Sequence, residues 1–310
     1  MSRVNPAFSA PPGQTLAVRV HLVDGTYELF RHYYGMPAEA REGSRLGGVR
    51  GVIDSLLYLL ADGVTHVGVA TDHVVESFRN DLWPGYKSSA GMEPGILAQF
   101  EPLEEAIEAL GVKVWAMTEL EADDALASAA IVAAEDPAVE QVLILSPDKD
   151  LAQCVRERRI VQVDRRKRHE IDAAGVVEKF GVPPSAIPDW LALVGDSADG
   201  FPGLPGWGAK SAAAVLAAHG HIADIPDAPG QWKVTVRGAP KLAAVLAQGR
   251  EAAALFLELA TLRIDRSLLG SVDELEWRGP TPRFEKVAEE LGAPQMAGRA
   301  HTIARRHHRG

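Results

Sequence analysis

Between Glu121 and Asp150 the chain gathers five carboxylates at the edges of one short stretch: Glu121, Asp123 and Asp124, then an alanine-rich segment, then Val142-Leu143-Ile144-Leu145-Ser146 running into Asp148 and Asp150. Packed carboxylates repel one another, and each raises the pKa of its neighbours unless a cation balances them. Such a cluster suits a hard divalent metal, because Mg²⁺ takes oxygen ligands and keeps waters for chemistry. If a helix begins after Leu120, Glu121 and Asp124 lie one turn apart on one face with Asp123 beside them. At an extended strand end, Asp148 and Asp150 point to the same side. Either group alone also has an ordinary reading, since acidic residues start many helices, where the dipole favours them.

The elements that must position these acids follow from the apolar pattern. Residues 17–23 predict a buried strand ending at Asp24-Gly25-Thr26, and residues 66–71 a second one ending at Asp72. Ligands of open α/β sheets bind at the carboxyl ends of strands, although aspartate is also a common turn residue. Helical spacing over 49–61 and from about 96 to 110, with a third strand over 112–117, gives helix and strand in alternation from Ala17 to about Val163. That order predicts a mainly parallel sheet covered by helices. From Ala173 onward the chain reads as helices only, including one or two over 240–264 and another over 281–291. The single cysteine, Cys154, sits in a stretch that reads as a buried helical face.

Three further stretches could touch a ligand. Phe78-Arg79-Asn80-Asp81-Leu82-Trp83-Pro84-Gly85-Tyr86-Lys87 mixes cations that grip phosphates with aromatics that stack on bases, and it equally fits a surface loop with an aromatic anchor. Arg165-Arg166-Lys167-Arg168 reads as the tip of a hairpin, where basic runs are usually solvated. Finally, Gly203-Leu204-Pro205-Gly206-Trp207-Gly208-Ala209-Lys210 permits a tight hairpin with bare N–H groups at a helix N-terminus, and Lys210 adds charge. It suits a sequence-independent grip on a nucleic-acid backbone, with a plain turn between helices as the other reading.

At 310 residues, 46% hydrophobic and 24% charged, the composition is that of a globular chain with a well-buried core. One cysteine excludes an internal disulfide and fits a reducing compartment. No apolar run approaches the roughly 18 residues of a membrane span, and no secretory leader is visible. A cytoplasmic location without a membrane partner is expected. The net charge of −10 speaks against nucleic acid, unless bound cations reverse the sign locally.

Taken together, Leu22-Val23-Asp24-Gly25, Asp72, Phe78-Arg79 with Tyr86-Lys87, Glu121-Ala122-Asp123-Asp124, Asp148-Lys149-Asp150-Leu151 and the run from Gly195-Asp196-Ser197-Ala198-Asp199 to Lys210 resemble, in order and spacing, the 5′-to-3′ exonuclease and flap endonuclease family. The resemblance covers roughly residues 18–268. It implies a PIN-like α/β nuclease core over 16–185, with a helical arch at about 79–100, and a helical region over 186–292 containing a helix-three-turn-helix DNA-binding element. Residues 1–15 read as a disordered lead-in and 293–310 as a basic tail, carrying Arg299, Arg305, Arg306 and Arg309, that is either a floppy end or a phosphate contact.

By the same resemblance, Asp24, Asp72, Glu121, Asp123 and Asp124 surround one metal, and Asp148, Asp150, Asp196 and Asp199 a second. Arg79 and Lys87 match a catalytic basic pair, and Tyr86 the aromatic on which a terminal base stacks. Gly203, Gly206, Gly208 and Lys210 grip the duplex. The implied cofactors are two or more Mg²⁺, replaceable by Mn²⁺, and K⁺ at the hairpin. The implied partner is DNA with a 5′ flap, 5′ overhang or nick, or an RNA primer on DNA, met by a monomer near the nucleoid. Without a polymerase domain the chain resembles a stand-alone enzyme. His73, Gly200 and Trp207 depart from the family pattern. Two other readings remain at this point. A haloacid-dehalogenase-type phosphatase would use Asp24 as nucleophile, though it wants an acid where Thr26 stands, and a non-catalytic module would only bind branched DNA.

Overall fold

The computed structural model describes residues 18–308 apart from Ser44 and Arg168, so the expected lead-in over 1–15 lies outside the described residues, as does Arg309. Strand β1 (Val18–Asp24) is buried over most of its length and feeds α1 (Gly25–Tyr34) directly. A short α2 (Ala38–Gly43) and a long α3 (Gly47–Ala61) return the chain to β2 (His66–Asp72). Then come α4 (Phe78–Leu82), α5 (Pro94–Leu97), α6 (Phe100–Ala109) and β3 (Lys113–Met117), followed by α7 (Ala122–Glu135) and β4 (Val139–Leu145). Strands β5 (Ile160–Asp164) and β6 (His169–Ile171) form the antiparallel hairpin expected around the basic tip.

The six strands lie in the order β3-β2-β1-β4-β5-β6, all parallel except β6. Helices α1, α3 and α6 cover one face through Leu29, Val52, Leu56, Leu103 and Ile107. Helix α7 covers the other, and its buried alanines at 125, 129, 130 and 133 let it lie close on β1 and β4. Strand order reverses between β1 and β4, and at such a switch point the carboxyl ends of the strands open into a crevice.

After β6 the chain is helical, as expected: α8 (Ala173–Phe180), α9 (Ile187–Val194), α10 (Ala209–His219), α11 (Ala239–Gln248) and α12 (Arg250–Ala260) close a second core around Trp190, Phe201, Trp207, Trp232 and Phe256. Trp207 thus points inward, 5.9 Å from the Trp232 ring, which accounts for its departure from a small residue. Cys154 is buried, and burial pushes its thiol up to about 12. No helix among the described residues is long and apolar enough to cross a membrane.

Two expectations give way. No helical arch spans 79–100: helix is confined to Phe78–Leu82 and Pro94–Leu97, because Pro84, Gly85 and Gly91 break the segment between them. Nor do residues 293–308 form a floppy tail. They carry α13's successor α14 (Gln295–His307), α13 being Phe284–Glu290, and α14 buries Met296, Ala297, Ala300, Ile303 and Ala304 on the α3 face of the domain. Arg299 bonds Asp54 at 2.5 Å, and His307 packs on Trp277, whose backbone N–H donates to the Thr65 carbonyl beside the start of β2. Arg305 and Arg306 therefore sit at the edge of the sheet opposite the acids.

Candidate metal centre and nucleic-acid interface

Asp24 ends β1 and caps α1, accepting the Tyr27 N–H at 2.8 Å and the Ser146 hydroxyl at 2.7 Å. Asp72 ends β2 and accepts the Ala122 N–H at 2.8 Å, so the first turn of α7 is tied to the neighbouring strand. Asp123 projects from that same turn. Beyond β4, Ser146 Oγ accepts the Asp148 N–H and Asp148 accepts the Asp150 N–H, folding the loop back toward Asp24. Two glutamines fix that loop from behind: Gln162 donates to the Asp148 carbonyl, and Gln153 to the Asp150 carbonyl at 2.8 Å.

The helical region brings the last acids. A turn at residues 196–200, closed by the Asp196 N–H to Phe201 carbonyl bond, places Asp196 and Asp199 against Asp150. Asp150, Asp196 and Asp199 each offer an oxygen within 4.8 Å of the others, and Asp150 Oδ1 is buried with no hydrogen-bond partner. Burial first, then the neighbouring carboxylates, pushes several of these acids upward. Asp24 rises to about 7 with Asp72 and Asp148 behind it, Asp199 rises to about 6, and Asp123 and Asp150 rise well above the usual range. An orphaned carboxylate oxygen and a shared reluctance to ionise fit hard divalent cations. Asp24, Asp72, Asp123 and Asp148 would hold one, and Asp150, Asp196 and Asp199 another. Lys149 contacts Asp196 beside the second set.

Four expected site residues are placed differently. Asp124 is fully buried and receives Arg79 twice at 2.9 Å, the Glu121 N–H at 3.0 Å and the Arg263 N–H at 2.8 Å, leaving it nothing for a metal. Arg79, 1% exposed, gives its remaining donors to Glu121 and the Leu259 and Thr261 carbonyls. It is a buried bolt between α4, α7 and α12, out of reach of a phosphate. Glu121 accepts from Ser77 and Arg79 on one oxygen and from Tyr86 and Lys87 on the other. Burial alone would raise it, but Lys87 and then Arg79 hold it low. Tyr86 is 5% exposed with its ring in the second core, so it is not offered to a base.

Lys87 lies beside the acidic cluster. Its Nζ lies 2.8 Å from Glu121 and 3.2 Å from Asp199, partly exposed at the mouth of the acidic cluster. Burial opposes its charge, yet Glu121 and Asp199 hold it well above its ordinary range.

The glycine string forms the expected hairpin between α9 and α10. Gly203 and Gly206 adopt positive φ, and a Cβ on Gly203 would collide with the Gly195 backbone at 2.3 Å. Gly208 caps α10 with help from Ser211, and Lys210 is exposed in its first turn. Across a groove of about 980 Å³ stands the start of α11, where Arg237 and Lys241 flank Gly238. This second cationic helix start was missed in the sequence. Its signal was there, since Arg237-Gly238-Ala239-Pro240-Lys241 repeats the plan of Gly208-Ala209-Lys210: a glycine, a helix start and a flanking cation. His73, by contrast, turns away from the acids to bond Glu104 at 2.7 Å.

A family model described as 5′-3′ exonuclease, N-terminal resolvase-like domain, matches residues 19–181, and one described as 5′-3′ exonuclease, C-terminal SAM fold, matches residues 182–283. DNA polymerase I of Pseudomonas aeruginosa is 35% identical over 267 residues, covering 82% of this chain and 28% of that protein. The chain thus spans little more than a quarter of its polymerase relatives. The 5′-3′ exonuclease of Buchnera aphidicola is 29% identical over 252 residues, 79% of this chain and 87% of that one. Among solved structures, T5 5′-exonuclease with bound zinc shares the fold at a TM-score of 0.61 and 18% identity, over 92% of this chain and 98% of that one. The catalytic core of Rad2 in complex with DNA substrate does so at 0.63 and 14%, over 94% and 95%. With both halves matched in sequence and the acids gathered at one crevice, the chain belongs to the 5′-3′ exonuclease family.

Proposed function

We propose that this chain is a structure-specific 5′ nuclease that hydrolyses phosphodiester bonds near the 5′ ends of branched or nicked DNA. The observation that carries the reading is the meeting of Asp150, Asp196 and Asp199, from two halves of the chain, beside Lys87 and the remaining acids at the switch point of the sheet. Two Mg²⁺ ions, when bound, supply the activated water and the neutralisation of charge on the scissile phosphate. Lys87 adds a fixed positive charge where negative charge develops. Burial favours the protonated form of these carboxylates and a bound cation favours the ionised one, so metal binding is coupled to pH.

Duplex is held some distance away, by the helix starts at Lys210 and at Arg237 and Lys241, through phosphates and without base reading. This division of labour makes the distance from duplex grip to acids a ruler for the cleavage position. K⁺ at the hairpin carbonyls would strengthen that grip. A phosphatase using Asp24 is disfavoured because Thr26, which accepts the Asp72 N–H, stands where that chemistry wants a second acid.

A panel of end-labelled substrates in Mg²⁺ tests the reading: 5′ flap, 3′ flap, 5′ overhang, nick, RNA primer on DNA, and a phosphomonoester. Cuts within a nucleotide or so of the 5′ junction, with the 3′ flap and the phosphomonoester untouched, are expected. Equal cleavage of 5′ and 3′ flaps would defeat it. Whether the RNA primer is processed defines the substrate class, and analytical ultracentrifugation checks the expected monomer.

A further inference from the structure

The position of Lys87 depends on a backbone junction that no side chain of the acidic cluster makes. Residues 83–87 lie on the turn formed by residues 196–200. The Lys87 N–H donates to the Asp199 carbonyl at 2.9 Å, and the Trp83 indole N–H donates to the Gly200 carbonyl at 3.0 Å. Asn80 closes the segment from the other side through the Lys87 carbonyl at 3.0 Å. Trp83 also meets Phe256 edge to face, and Phe256 stacks on Phe201, the next residue after the turn. The backbone of Lys87 is therefore fastened to the same aspartate that its ammonium group faces.

Two glycines make this junction possible. Gly200 has φ +83, and a Cβ on it would stand 2.1 Å from the Gly85 carbonyl oxygen and 3.2 Å from its carbon. A Cβ on Gly85 would in turn meet the Trp83 indole nitrogen at 2.7 Å and the Gly200 carbonyl at 3.4 Å. Backbone faces backbone at Gly200, so no rotamer change relieves the collision. A side chain there must lift residues 83–87 by roughly an ångström, carrying Lys87 away from Asp199. This contact gives the departure at Gly200 a physical reason.

We infer that Gly200, Gly85 and Trp83 are positioning residues, which set the place of Lys87 over the acidic cluster by docking its segment onto the Asp196–Asp199 turn. Activity enters only through the nuclease reading above, on which this inference rests; the docking itself is read by amide exchange. Gly200→Ala and Gly200→Asn share the collision, while asparagine tolerates positive φ better, so agreement between them separates collision from backbone strain.

In both variants the Lys87 amide should exchange faster than in wild type, and single-turnover cleavage should fall about 10²-fold, the usual cost of misplacing a reacting group by about 1 Å. Flap affinity in chelator should hold. Trp83→Phe keeps the ring against Phe256 and loses only the N–H, so a loss of about three- to tenfold is expected. In a Lys87→Ala background, Gly200→Asn should cost nothing further. Unchanged exchange at Lys87, or losses that multiply in the double variant, would overturn the inference. A wild type that does not cut would sink the nuclease reading instead, and the exchange data would still decide the docking.

Discussion

Replacing Arg79 by alanine is expected to remove much of the stability of the protein and not merely slow its reaction. The guanidinium is 1% exposed and makes two bonds of 2.9 Å to Asp124, a contact of 3.1 Å to Glu121, and bonds to the Leu259 and Thr261 carbonyls. Its loss strands Asp124, fully buried, with only the Glu121 and Arg263 amides for company. Removing one partner of a buried pair costs about 3–5 kcal/mol. A domain has only about 5–15 kcal/mol in total. Urea unfolding in chelator measures the difference through the midpoint, provided the slope is unchanged. Asp124→Asn should be nearly as damaging, whereas Arg79→Met with Asp124→Leu, which removes both charges, should recover most of the loss. A loss below about 1 kcal/mol for Arg79→Ala, with cleavage abolished, would mean that Arg79 reaches a phosphate after all and that this core is misread.

Acid should stabilise the metal-free protein over part of its range. Asp24, raised to about 7, and Asp199, raised to about 6, bind protons in the fold that the unfolded chain, with ordinary carboxylates, has released. Thermal melting in chelator should therefore climb as pH falls from 8 toward 5, and saturating Mg²⁺ should flatten that trend; a fall instead would contradict the assignment. Below about 4.5 the sign turns, because Glu28, whose burial is outweighed by His32, Arg165 and Arg31, sits at about 2 and loses its contribution as pH drops toward that value. Lys210→Ala and Lys241→Ala should each reduce the slope of log K against log salt for duplex by about 0.9, with single-strand binding little changed. An unaltered slope would dismiss the groove. Ile303→Ala should cost about 2–4 kcal/mol in urea unfolding while leaving DNA affinity untouched, since α14 is a packed helix at the far edge of the sheet.

The sheet was legible because its central strands β1, β2 and β4 are mostly buried and two of them end in aspartate, so apolar runs, alternation with helices and Asp24 and Asp72 all coincide. That Asp150 meets Asp196 and Asp199 was legible only through ordered resemblance, because nothing local in a sequence announces that residues so far apart share one point in space. Residue type misled where burial decides the role. Arg79, Asp124 and Tyr86 have the chemistry of a site, but their neighbours saturate them in the interior. Two misses were avoidable. Pro84, Gly85 and Gly91 speak against a continuous arch helix, and the spacing of Met296, Ala297, Ala300, Ile303 and Ala304 is that of a packed helix behind the conspicuous arginines. The Gly85 and Gly200 contact was beyond reading, since a glycine pair leaves no mark in composition when the residues meet across the chain.

Single-turnover cleavage of a 5′-labelled flap duplex across a Mg²⁺ series that starts in chelator tests the central claim most directly. The two sets of carboxylates predict no product in chelator, a rate that rises more steeply than first order at low Mg²⁺ because two ions must bind, and products ending at the flap junction. Cleavage in chelator at the rate seen with Mg²⁺ would contradict the assignment of Asp24, Asp72, Asp123, Asp148, Asp150, Asp196 and Asp199 as metal ligands.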